Sequence, residues 1–291
     1  MRKIYGSVII IGNRIFCVIH LFQQKANNMA FTHIFTLILL FFVSLFNAQS
    51  DEKFYQPSKT MQPLEFKKTE ELSISVGSDR ITAVIAKPEK KFTKTVLFFH
   101  GAGGNISTYQ YITKPLVEAG YQVIMVDFRG YGKSTGVPTH ISIGEDGQVF
   151  LEEMLKRDDV KNTKVYLYGA SLGAQIAANL AKNNESKLSG VILDCPMESF
   201  TEIAVHFAPQ YEEMIRNYVT SPYSAIEDLK ELKKLPKLVI TSKEDKTIPY
   251  QQQLKVYESA AEPKKQFESS GDHIQGMVNN RTELLKIMDQ L

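Results

Sequence analysis

A serine stands between two glycines at Gly169-Ala170-Ser171-Leu172-Gly173, inside the stretch KVYLYGASLGAQIAANLAKN. The residues before it are apolar and those after it are small and helix-forming, so the chain turns from strand to helix at the serine. So tight a turn leaves no room for side chains at its flanks and lifts the hydroxyl above the sheet, which makes Ser171 a candidate nucleophile. The helix that starts there aims its first N–H groups and its dipole at negative charge developing beside the hydroxyl. A plain N-cap would use the same residues. The choice turns on whether the rest of the chain supplies a base, an acid to orient it, and oxyanion donors.

Few histidines qualify as the base. His20 and His33 lie near the N-terminus, His140 reads as a loop residue, His206 falls in an insertion, and His100 closes a strand as a turn residue. His273, in SSGDHIQGM, follows the last strand-like piece and precedes the closing helix, where a loop can reach across the sheet edge to Ser171. The acid should follow a strand end between the two. Asp245 in KLVITSKEDKTIPY is favoured over Glu244, and over Asp272, which adjoins His273 too closely to grip its ring; Asp194, also at a strand end, stays a minor rival. The oxyanion donors would be the backbone amides of Leu172, after the nucleophile, and of Ala102 in the glycine-rich HGAGGN.

These groups need a frame that brings strand ends together. Four short apolar runs end at His100, Asp127, Gly169 and Asp194, and a fifth, KLVITS, follows at 237–242. Continuous rather than alternating hydrophobicity marks strands covered on both faces, hence a parallel sheet in an α/β class. Segments 107–119, 142–157 and 171–183 are long enough for right-handed crossover helices. An opening hairpin is expected from ELSISV and RITAVIAK around Gly77-Ser78-Asp79, and an insertion of two or three short helices, about 200–235, forms a small lid at the carboxyl edge.

With 291 residues, 43% of them hydrophobic, the chain can bury one large core. Its formal charge of +2 comes from the first 48 residues, which hold Arg2, Lys3, Arg14 and Lys25 and no acid. The remainder is slightly acidic, and its lysines interleave with glutamate and threonine, which argues against a nucleic-acid partner. The apolar run Ile34 to Phe46 matches a secretory signal and is short of the ~20 residues of a span. The expected organisation is a leader at 1–48, with 1–28 an over-extended start and 29–48 a signal peptide, an N-terminal extension at 49–70, and the main domain at 71–291. Export to a bacterial periplasm or outer surface follows, with a membrane anchor if the leader is not cut. Cys195 is alone after the leader, which holds Cys17, so no disulfide and no Cys/His metal spacing is available; Cys195 reads as a small buried apolar group.

The blocks FFHGAGGNIS, DFRGYGKSTG, YGASLGA, SKEDKTIP and GDHIQGM, in that order, resemble the α/β-hydrolase family, in its serine-aminopeptidase-like and lipase/esterase-type subgroup. The resemblance spans roughly Glu71 to Leu291. It implies a mostly parallel eight-stranded sheet with helices on both faces, a Ser171-Asp245-His273 triad, an acyl-enzyme intermediate, no cofactor and a small-molecule acyl substrate. A carboxylic ester hydrolase (EC 3.1.1), or thioesterase, is the expected activity; an aminopeptidase or amidase, and a non-catalytic binding protein of the same fold, are the alternatives. Ala102 departs from the Asn usual in this block, and Asp272 stands where Gly or Ala is common.

Overall fold

The computed structural model describes residues 51–291, so the assignments made for 1–48 lie outside the described residues. The strands are β1 (Gln56–Pro57), β2 (Thr69–Val76), β3 (Asp79–Ala86), β4 (Lys94–Phe99), β5 (Gly103–Gly104), β6 (Gln122–Val126), β7 (Lys164–Ala170), β8 (Gly190–Asp194), β9 (Lys237–Thr241) and β10 (Lys264–Glu268). Eight of them make one sheet in the order β10-β9-β8-β7-β4-β6-β3-β2, while β1 and β5 pair separately. In the large sheet the pairings of β3 with β2 and with β6 are antiparallel, and the other pairs are parallel. The opening hairpin closes through Gly77-Ser78, with Val76 opposite Asp79 and Gly77 at φ +60°, as so short a turn requires.

The apolar runs lie on the sheet as expected, and their alternate residues feed two cores. On β4, Leu97 and Phe99 pack on the face covered by α2 (His140–Leu155) and α3 (Leu172–Asn183). Val96 and Phe98 pack on the other face, with α1 (Gln110–Glu118) and α8 (Arg281–Asp289). Every residue of β6, β8 and β9 is buried, which is why their sequences show no polar alternation. Among the described residues no helix is long and apolar enough to cross a membrane.

Three helices, α4 (Phe200–Phe207), α5 (Glu212–Tyr218) and α6 (Ala225–Glu231), fill the insertion between β8 and β9. The last belongs to the body. Ala225 and Leu229 are fully buried, and Asp228 pairs with Lys182 on α3. By contrast α4, α5 and the turn between them show Phe207, Tyr211 and Met214 to solvent.

His140 is not a loop residue. Thr139 caps α2 with a reciprocal bond to Ser142, so His140 becomes the first helical residue. It is buried, stacked on Phe200 at 3.7 Å between ring centres, and hydrogen-bonded through Nδ1 to the Tyr55 hydroxyl at 2.7 Å.

Candidate active site

The turn from β7 to α3 forces Ser171 to φ +55°, ψ −117°, a conformation costly for a non-glycine residue. Its side chain makes no capping bond to α3, which removes the N-cap explanation for a serine here. The flanking glycines are steric necessities. A Cβ on Gly173 would collide with the carbonyl oxygens of Phe99 and His100, and one on Gly169 with the carbonyl of Gly173. The Ser171 N–H donates to the carbonyl of Asp194 at 2.8 Å, tying the elbow to the end of β8. Leu172 opens α3, so its N–H is among the first-turn donors without an intrahelical acceptor.

Asp245 and His273 meet directly, with 2.7 Å between Asp245 Oδ2 and His273 Nδ1. The Asp245 side chain is fully buried and each oxygen has two partners. Oδ1 accepts from the N–H groups of Thr247 at 2.8 Å and Ile248 at 2.9 Å, and Oδ2 from His273 and from Gln253 Nε2 at 2.9 Å. So many donors use the acceptor capacity of both oxygens and fix the direction of the carboxyl group. Held this way, Asp245 accepts a hydrogen bond from the Nδ1–H of His273, which selects that tautomer and leaves Nε2 as the free acceptor nitrogen.

The rival acids have other tasks. Glu244 accepts from the Gly271 N–H at 3.1 Å, and Asp272 from the N–H groups of Lys246 at 2.9 Å and His273 at 2.8 Å, so both tie the Asp245 loop to the His273 loop. Asp194 is buried and bonded to the Tyr168 hydroxyl at 2.7 Å, and burial pushes its carboxyl up to about 6. Next to it Cys195 is buried at φ +48°, its Sγ accepting from the Ile274 N–H at 3.4 Å and lying within 4.8 Å of a carboxylate oxygen of Asp245 and a ring nitrogen of His273. Cys195 is thus a small buried group, and it packs against the acid–base pair.

The HGAGGN loop runs beside the serine. A Cβ on Gly101 would stand 3.5 Å from Ser171 Cβ and 2.7 Å from the Tyr109 hydroxyl, so a side chain there would push that hydroxyl off the Gly103 carbonyl it donates to at 2.9 Å. His100 is fully buried and structural: Nδ1 bonds the Gly101 carbonyl at 2.7 Å, while Nε2 accepts from the Phe128 N–H at 3.2 Å. Burial pushes His100 down to about 4, so the ring is neutral at pH 7 with its proton on Nδ1. Since the peptide is trans, a Gly101 carbonyl drawn toward His100 sends the Ala102 N–H the other way. The Ala102 carbonyl is held in turn by the Tyr131 hydroxyl at 2.6 Å and the Gln56 N–H at 2.9 Å.

Two contributors escape a sequence reading. Gln253 sits on the buried face of α7 (Tyr250–Ser259), where a polar residue among Gln252 and Val256 is the one available signal. The pairing of Gln56 with the glycine loop leaves no periodic trace at all.

A family model described as serine aminopeptidase, S33, matches residues 90–223, a stretch that holds Ser171 and stops before Asp245. Protein bem46 of Schizosaccharomyces pombe is 29% identical over 176 residues, 60% of this chain and 59% of that protein, so the chain spans about three fifths of its length. The uncharacterized protein YfhR of Escherichia coli (strain K12) is 28% identical over 201 residues, 68% of this chain and 69% of that protein. The Pyrococcus furiosus esterase Pf2001 has a similar fold, with a TM-score of 0.65 at 15% identity over 81% of this chain and 97% of that one. Est1E from Butyrivibrio proteoclasticus, solved with ferulic acid bound, has a TM-score of 0.64 at 18% identity over 75% of this chain and 98% of its own.

Proposed function

Since the chain belongs to the α/β-hydrolase family, we propose that it is a serine hydrolase that cleaves a carboxylic ester or thioester through an acyl-enzyme. The observation that carries this reading is the fully satisfied Asp245 carboxylate gripping His273 Nδ1 at 2.7 Å, on the sheet edge that bears a strained, uncapped Ser171.

In this reading His273 Nε2 takes the Ser171 proton as Oγ bonds to the substrate carbonyl carbon. The carbonyl electron pair moves onto oxygen, where the N–H groups of Leu172 and Ala102 receive it. The C–O or C–S bond then breaks, and the leaving group departs with the proton held by His273. Water, deprotonated by the same nitrogen, attacks the acyl-Ser171 and releases the acid. No metal or cofactor enters these steps. Residues 29–48 direct export, residues 49–70 form an N-terminal extension, and the working domain runs over 71–291.

A fluorophosphonate probe should label Ser171, and the protein should hydrolyse short p-nitrophenyl esters; Ser171→Ala should lose both while melting at nearly the same temperature. Turnover surviving in that variant would exclude the assignment. The matched family model bears the name of an aminopeptidase and the Pf2001 protein of like fold that of an esterase. One chemistry serves both, so esters of graded acyl length and aminoacyl amides assayed side by side decide between them.

A further inference from the structure

The glycine loop that would hold the oxyanion is weakly determined by its own sequence. Gly101, Gly103 and Gly104 carry no side chains, and Gly104 sits at φ +80°. Fixing such residues costs about 1–2 kcal/mol each in backbone entropy, so a preformed hole needs outside partners.

Those partners come from residues 55–62, ahead of the main sheet. β1 pairs in parallel with β5, setting Gln56 opposite Gly103 and Pro57 opposite Gly104. The Gln56 N–H donates to the Ala102 carbonyl at 2.9 Å and the Ser58 N–H to that of Gly104 at 2.8 Å. Asn105 Nδ2 returns two bonds, to the carbonyls of Ser58 at 3.0 Å and Thr60 at 2.9 Å. The same segment grips the loop after β6. The Gly132 N–H donates to the Ser58 carbonyl at 3.0 Å, Lys59 Nζ to the Ser134 carbonyl at 2.6 Å, and the Gln56 N–H also reaches the Tyr131 hydroxyl at 3.2 Å. Tyr131 completes the clamp with its bond to the Ala102 carbonyl. Buried Tyr55 anchors the upstream end on His140.

We propose that residues 55–60 form a positioning strap whose backbone pairing with Gly103–Gly104 sets the Ala102 amide for the oxyanion, making this extension part of the catalytic apparatus. The proposal rests on the serine-hydrolase reading. Its consequence is selective: disturbing the strap impairs stabilisation of the tetrahedral state and spares ground-state binding.

The test uses the full chain with Gln56→Pro, which removes the N–H that Ala102 accepts, and Tyr131→Phe, which removes only the hydroxyl and serves if the proline variant does not fold. Hydrolysis of p-nitrophenyl acetate, inhibition by a trifluoromethyl ketone and amide exchange over residues 101–105 are measured together. The expected result is a kcat about tenfold to hundredfold lower with KM within twofold, a matching loss of ketone affinity, and faster exchange in the loop. A kcat within twofold of wild type in every folded variant overturns the proposal, as does a loss confined to KM. If wild type neither turns over ester nor takes a fluorophosphonate, the hydrolase reading has failed; the exchange data then show separately whether the strap orders the loop.

Discussion

Gln253 Nε2 donates to Asp245 Oδ2 at 2.9 Å and to the Ile248 carbonyl at 2.8 Å, while its carbonyl oxygen accepts the Ser242 N–H at 2.9 Å. One buried amide thus holds the candidate acid and both ends of the loop that carries it. Gln253→Leu leaves the Ser242 N–H and part of the Asp245 carboxylate without partners, and should cost about 1–3 kcal/mol in a urea titration. Its kcat should fall about tenfold, each decade being ~1.4 kcal/mol of transition-state stabilisation. An unchanged kcat would show that the backbone donors of Thr247 and Ile248 hold Asp245 unaided.

Asp245 and Asp194 can be told apart by parallel amide substitutions. Asp245→Asn presents the wrong partner to His273 Nδ1 and should lower kcat by about 10⁴, as expected when a triad imidazole is left in the wrong tautomer. Asp194→Asn keeps an acceptor for the Tyr168 hydroxyl and should hold kcat within about threefold, well under one pKa unit of free energy. The reverse ranking in a p-nitrophenyl ester assay would move the acid to β8.

Buried titratable groups oppose one another in acid. Asp127 and Asp194 are pushed by burial from 3.8 up to about 6, so each binds its proton more tightly in the folded state, and the stability this gives is lost as pH rises from about 4 to 6. His100 and His140 are pushed by burial from 6.5 down to about 4 and about 3, and the stability of their neutral forms is lost as pH falls below about 6.5. Asp194→Asn should therefore gain stability relative to wild type progressively between pH 4 and 6 and hold the gain above that. Urea midpoints at several pH values read this directly, and a difference independent of pH would contradict the burial effect.

Arg129 spans the loop after β6, donating from Nε at 2.8 Å and Nη2 at 2.6 Å to the two oxygens of Asp146 and from Nη1 to Asp79. Lysine cannot reproduce that fork. Arg129→Lys should destabilise the fold by about 1–3 kcal/mol, since charge-assisted bonds at partly buried groups are lost. Thermal melts check this, and an unchanged melting temperature would mean the fork adds nothing.

The sheet was legible because burial on both faces writes itself as unbroken apolar runs, and the elbow because sterics demand glycines on each side of Ser171. Asp245 and His273 could be ordered since only strand-end positions bring remote residues together. What stayed hidden depends on single backbone bonds. Residues 56–57 pair with the glycine loop for two residues only, too few for any hydrophobic period. Gln253 looks like one of three consecutive glutamines, and nothing local says which of them turns inward. His140 was misplaced because its helix begins on a capping box rather than on apolar periodicity, and α6 because amphipathic helices look alike whether they cover a site or a core.

Cys195 lies shut behind Asp245 and His273, and burial pushes its thiol well above the ordinary range. A thiol in that state is deaf to alkylating reagents until the loops around it part. The rate at which iodoacetamide marks Cys195 therefore serves as a clock for openings around Asp245 and His273, one the protein already carries in its own sequence.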